Sequence, residues 1–161
     1  MTDWAGKRVV VVGLARQGKA LARYLTAQGA HVTVTDQKPA ASLASAIDEL
    51  EGLPLEFVLG GHPPTLLEGT DLLCLSGGVP ADLPLAQQAR QRGLAVTNDS
   101  QIFVDASPAP TIGITGSAGK TTTTALVGRM AERHAEVTGV RAWVGGNIGR
   151  PILEDLGLIK P

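Results

Sequence analysis

The chain has 161 residues and a formal net charge of −1; 43% of its residues are hydrophobic, 18% charged and only 3% aromatic. That length predicts about one domain, and the hydrophobic share excludes a disordered chain while requiring an aliphatic core. Near-neutral charge without a lysine or arginine stripe, and few aromatic platforms, argue against nucleic acid as a partner.

Arg8-Val9-Val10-Val11-Val12 is a continuous β-branched run, the pattern of a central parallel strand covered on both faces. It ends at Gly13, and Ala15 to Gln28 then reads as a helix with Leu14, Ala20, Leu21, Tyr24 and Leu25 on its apolar side and Gly29 as its stop. His31 to Thr35 is the next strand, closing at Asp36. Strand, helix and strand within about thirty residues form a βαβ unit with a right-handed crossover. The pattern continues as a short helix from Ser42 to Leu50 with Ser42 as N-cap, and a third strand from Leu55 to Leu59. A fourth strand, Asp71 to Leu75, runs into Ser76-Gly77-Gly78; a helix from Leu83 to Arg92 and a fifth strand from Leu94 to Thr97 follow. This alternation predicts an α/β fold with a Rossmann-like doubly wound parallel sheet.

Ser107-Pro108-Ala109-Pro110 interrupts the pattern as an extended linker, which divides the chain into residues 1–107 and 108–161. Beyond it come a strand from Thr111 to Thr115, a glycine-rich turn, a helix from about Lys120 to Arg133, a strand from Val140 to Val144 and a short closing helix. This is the expected start of a P-loop ATPase-type domain. The opening Met1-Thr2-Asp3-Trp4 carries an acid and no long apolar stretch, so no secretory signal is expected. No apolar run reaches the about 18 residues of a membrane span. The single cysteine, Cys74, cannot form an internal disulfide and reads as core. A cytoplasmic location is the expectation.

Two turns carry chemistry. Gly116-Ser117-Ala118-Gly119-Lys120-Thr121 follows an apolar strand and opens a helix, so consecutive backbone N–H groups would face nucleotide phosphates. Lys120 supplies a point charge to those phosphates and the Thr121 hydroxyl suits Mg²⁺; Thr122 lies within reach of the nucleotide. The loop is shorter than G-x-x-x-x-G-K-[ST], since Ile114 stands where the first glycine would be. The second turn, Gly13-Leu14-Ala15-Arg16-Gln17-Gly18, matches G-x-G-x-x-G except at Ala15, and Asp36 follows at the distance where an acid contacts a ribose or a base. His31, His62 and His134 have no acid or cysteine partner at ligand spacing and are assigned surface or structural roles. Arg129, Glu132 and Arg133 read as a solvated helix face.

The residues Thr115 to Thr122 resemble the T-G-[TS]-N-G-K-[ST]-[TS] signature of the Mur ligases, ATP-dependent amide-forming enzymes of peptidoglycan synthesis. Gly145-Gly146-Asn147-Ile148-Gly149 is a second point of similarity, and Ser76-Gly77-Gly78-Val79-Pro80 resembles the S-P-G-V-P of the branch that adds D-glutamate to UDP-N-acetylmuramoyl-L-alanine. The chain departs from the family pattern at Ala118, usually asparagine, and at Gly77, often proline. The resemblance implies that the first domain holds the UDP end of the substrate through Arg16, Gln17, Gly18, Asp36, Gln37, Lys38, Ser76, Gly77 and Gly78, with Asn147 near the diphosphate. It also implies ATP at Gly116, Ser117, Ala118, Gly119, Lys120, Thr121 and Thr122, with Lys120 as the catalytic group and Thr121 on Mg²⁺. The implied reaction is phosphorylation of the alanyl carboxylate, attack by the D-glutamate amine and collapse to amide and phosphate, in a monomer.

No apolar strand ending in an acid follows the ATP loop, and about 50 residues beyond the linker are too few to complete an ATPase domain. The second metal ligand and the amino-acid-binding residues are therefore expected beyond Pro161, and this chain is expected to be an inactive N-terminal portion of the enzyme. Two alternatives stand beside this expectation: a non-catalytic nucleotide-binding module, and an NAD-binding oxidoreductase domain, which would leave the second loop unexplained.

Overall fold

In the computed structural model, which describes residues 3–146 and 150–161, five strands form one parallel sheet: β1 (Arg8–Val12), β2 (His31–Asp36), β3 (Leu55–Leu59), β4 (Leu72–Leu75) and β5 (Ala95–Asn98). Their order is β3-β2-β1-β4-β5. The chain winds outward from β1 to β3, then crosses back to β4 on the other side of β1. The Rossmann-like expectation holds, and the reversal between β1 and β4 opens a crevice at their C-terminal ends.

The helices are α1 (Arg16–Ala27), α2 (Ala44–Asp48), α3 (Pro84–Gln91), α4 (Asp99–Ala106) and α5 (Lys120–Thr138). Alternation along β1 sends its valines to two cores. Val9 and Val11 join Val32, Val34 and Cys74 beneath α1 and α4, with Leu21, Leu25, Ile102 and Phe103. Val10 and Val12 join Leu73 and Leu75 beneath α3, with Leu85, Ala86 and Ala89. The continuous valine run is thus explained by burial on both sides. The link from β3 to β4 is only a short 3-10 turn, Pro64–Leu67, so part of the second face carries polar groups; there Thr33 donates to Glu56 Oε2 at 3.2 Å.

Several elements differ from expectation. Thr111–Thr115 and Val140–Val144 form no strand: neither has a neighbour in the sheet to pair its backbone, and Ile112 stands 78% exposed. A strand needs that ladder as well as its apolar pattern. The helix from Ser42 is a 3-10 turn at Ala40–Ser42 followed by α2, with Leu43 rather than Ser42 at the helix start. Helix α5 runs to Thr138, stopped by Gly139 in the left-handed region at φ 74°. Within α5 only Gly128 is buried, and Leu126, Met130 and Val137 face outward. At the C-terminal end a 3-10 segment, Ile152–Leu158, folds back so that Leu153 and Ile159 complete the core beneath α1 and α4.

Helix α4 was not expected. Asn98 caps it, its Oδ1 accepting from Gln101 N at 2.9 Å, a polar cap with Gln at the third helical position that the sequence carries openly. Its first residue, Asp99, has its carboxyl pushed above the ordinary value by burial, against backbone hydrogen bonds that lower it. A raised carboxyl binds its proton more tightly folded than unfolded, so stability falls as pH rises from the ordinary aspartate range through the raised value. Asp99→Asn is expected to stabilise the fold at pH 7 and to lose that gain at pH 3, as read by urea unfolding at the two pH values.

The β1–α1 turn imposes the tightest steric limit. A Cβ at Gly18 would lie 1.8 Å from the Gly13 carbonyl oxygen. Backbone is the obstacle, so no side chain can move to relieve it. Gly18→Ala is expected to destabilise the chain by about 3 kcal/mol or more, whereas Gly157→Ala, which meets nothing within 4 Å, should change the urea midpoint little.

Candidate functional site

The C-terminal ends of β1, β2 and β4 converge on one set of backbone contacts. Gly13 N donates to Thr35 O at 2.7 Å, and Ser76 N donates to Val12 O at 3.0 Å. The Asp36 carboxylate accepts Leu14 N at 2.8 Å through Oδ2 and Lys38 N at 2.9 Å through Oδ1. Asp36 therefore braces both the β1–α1 turn and its own loop. A carboxylate has about four lone-pair positions, and among the described residues these two contacts occupy two of them. Gly13 adopts φ 93°, and a Cβ there would lie 2.4 Å from Ser76 Oγ. Glycine is what lets the two turns close on each other.

The expected UDP-side residues divide by exposure. Arg16, Gln37, Lys38 and Gly78 are exposed, and Asp36 and Gly77 are half-buried. Gln17, Gly18 and Ser76 are buried, shaping the turns from beneath. Gln17 Nε2 donates to Gly146 O at 3.3 Å, which ties the first turn to the glycine pair just before Asn147. Asn147 itself lies outside the described residues. A cleft of about 290 Å³ runs beside Ser76, Gly77 and Gly78 to Asn98, Asp99 and Ser100 at the ends of β4 and β5. A larger groove, about 620 Å³, lies on the polar part of the second sheet face, among Arg8, His31, Thr33, Glu56 and Thr70. It does not reach the switch point, where ligands of doubly wound sheets gather.

The second turn is a glycine-shaped loop opening α5. Gly116 has φ 149° and Gly119 φ 77°, and Gly119, in the left-handed region, occupies the N-cap without a side-chain cap bond. The first amides of α5 thus point outward at the positive end of the helix, suited to an anion. Lys120 Nζ donates to Gly116 O across the loop, which holds its charge over the same amides. Residues 115–123 are exposed throughout, so Ser117, Ala118, Thr121 and Thr122 are accessible. Among the described residues no group of three or more His, Cys, Asp or Glu is placed to hold a metal. The exposed Thr121 hydroxyl would offer a metal ion a single protein oxygen, the number suited to an ion carried mainly by nucleotide phosphates.

His62, expected to have a surface or structural role, makes a structural contact: its Nδ1 lies 3.0 Å from Oγ1 of the buried Thr35. Its signal was the Gly60-Gly61 pair, whose φ values of 86° and 150° allow the chain to fold back onto the end of β2. Burial lowers the His62 pKa, opposed by the charge of Asp36. Cys74 is fully buried and its thiol pushed far up by burial, so its expected core role stands.

Comparison with known proteins agrees with this geometry. The family "Mur ligase MurD-like, N-terminal domain" matches residues 7–98. UDP-N-acetylmuramoylalanine--D-glutamate ligase of Bdellovibrio bacteriovorus is 40% identical over 157 residues, 98% of this chain and 33% of that protein. The protein of the same name from Geotalea daltonii is 42% identical over 149 residues, 92% of this chain and 32% of its own length. The chain thus spans about a third of the length of these curated relatives. Among solved structures, a pseudomurein peptide ligase type C from Methanothermus fervidus superposes with a TM-score of 0.53 at 26% identity, covering 83% of this chain and 27% of that one. With more than half of its residues inside the matched domain, the chain belongs to the Mur ligases through a MurD-like N-terminal domain.

Proposed function

We propose that this chain is the nucleotide-handling N-terminal part of a ligase that joins D-glutamate to UDP-N-acetylmuramoyl-L-alanine at the expense of ATP. The observation that carries the proposal is the pairing, in one chain, of a switch-point crevice braced by Asp36 with an uncapped glycine loop at the start of α5. The names of the relatives support the substrate assignment.

In this scheme the UDP end of the substrate lies along the C-terminal edge of the sheet. Asp36, Gln37 and Lys38 meet the nucleoside, Arg16 lies close to the diphosphate, and Gly77 and Gly78 line the crevice floor. Gln17, Gly18 and Ser76 act from beneath by fixing the turns, and Asn147 follows the Gly146 carbonyl held by Gln17. ATP phosphates lie on the amides of Gly116, Ser117, Ala118 and Gly119, with Lys120 neutralising the transferring phosphoryl group and Thr121 and Thr122 beside it. Mg²⁺, when bound to the nucleotide, supplies charge neutralisation between its phosphates. Activation of the alanyl carboxylate as an acyl phosphate makes it susceptible to the D-glutamate amine. We place this chemistry in the cytoplasm, which supplies ATP, and in a monomer, with residues 1–107 and 108–161 as its two units.

Isothermal titration of the 161-residue chain with UDP-N-acetylmuramoyl-L-alanine is expected to show one saturable site, and a folded chain without binding would contradict the proposal. Lys120→Ala should weaken Mg²⁺·ATP binding about tenfold or more, the loss of a charged phosphate contact, and leave the UDP-substrate affinity unchanged. Phosphate release by this chain alone, with all three substrates present, is expected to be absent.

A further inference from the structure

Helix α1 carries more than the first turn. Gln17, Ala20 and Tyr24 stand at i, i+3 and i+7, one face of the helix, and that face meets the chain on either side of Asn147. On the near side, Gln17 Nε2 donates to Gly146 O at 3.3 Å. On the far side, Ala20 and Tyr24 share a recess with Leu153, and an Arg23 guanidinium nitrogen lies 3.7 Å from the Glu154 carboxylate. Leu153 belongs to the core beneath α1, so packing fastens the far side and the exposed ion pair adds little.

The base of this loop is closed. A Cβ at Gly145 would lie 2.9 Å from Ile152 Cβ and 3.2 Å from Arg150 O, and Gly146 turns at φ 122°. Gln17 is only 6% exposed. A buried amide costs free energy unless its hydrogen bonds are made, and the bond to Gly146 offsets part of that cost. The same helix that opens at the β1–α1 turn thus also holds the residue just before Asn147.

A ligand with a nucleotide at one end and a reacting carboxylate at the other gains from both sets of contacts only when their separation matches its own. We propose that Gln17 is a positioning residue: by holding the Gly146 carbonyl it sets Asn147 against the β1–α1 turn and so registers the muramoyl-alanine arm of the substrate relative to its nucleotide. The proposal rests on the assignment of UDP-N-acetylmuramoyl-L-alanine to this edge of the sheet. Gln17 acts through the loop and makes no contact with substrate in this role.

The test compares two ligands, UDP and UDP-N-acetylmuramoyl-L-alanine, by calorimetric titration of the parent chain, Gln17→Met and Gln17→Ser. Methionine keeps the length and burial of the side chain without the Nε2 donor, and serine is too short to reach Gly146; urea midpoints establish that each variant is folded. The parent is expected to bind the complete substrate more tightly than UDP. Both variants should lose about tenfold of that advantage, the loss of one neutral hydrogen bond, with UDP affinity unchanged. An undiminished advantage overturns the role of Gln17 and leaves the substrate assignment standing. Equal losses for both ligands make Gln17 a prop of the first turn and likewise overturn it. A parent that binds UDP with no advantage for the complete substrate overturns it as well, and a parent that binds neither ligand overturns the substrate assignment too. Hydrogen exchange of the parent needs no variant: the complete substrate should protect the amides of Gly145 and Gly146 where UDP does not, and equal protection by both ligands contradicts the proposal.

Discussion

The hydrogen bond from Leu14 N to the Asp36 carboxylate, 2.8 Å long, is the interaction on which the functional edge of this fold depends. It joins the ends of β1 and β2 at the turn where the chain enters α1, and the bond from Gly13 N to Thr35 O doubles it. With that turn fixed, Gly13 can approach Ser76 on the opposite side, and Gly18 can pass against the Gly13 carbonyl. One acid thus sets the floor of the crevice before any ligand arrives. This also explains how Ala15 can replace the middle glycine of a dinucleotide loop: the turn is secured from the β2 side, and Ala15 itself is exposed.

Most of the sheet was legible because burial leaves a mark on composition. The four consecutive valines of β1 are divided between two cores, and no other common arrangement accounts for such a run. The glycine turns were legible for a related reason, since positive φ and close backbone approach both favour glycine. Helix α4 was passed over although Asn98 and Gln101 form its cap, because its eight residues follow β5 without a turn-forming glycine or proline between them.

What was not legible depends on partners distant in sequence. His62 is defined by Thr35, and Gln17 by Gly146; no local spacing announces either contact. The segments 111–115 and 140–144 carry apolar strand-like sequence without a strand beside them, so pattern alone misassigned them. The same limit applies to α5, whose outward Leu126, Met130 and Val137 show no amphipathic match to the rest of this chain. The relatives that match this chain are about three times as long.

The central claim is that the C-terminal edge of the sheet holds a UDP-linked substrate. Amide NMR mapping of the 161-residue chain during titration with UDP-N-acetylmuramoyl-L-alanine tests it most directly. Shifts concentrated at residues 13–18, 36–38 and 76–78 are the predicted result. Shifts concentrated instead in the groove around Arg8, His31 and Glu56 would contradict it.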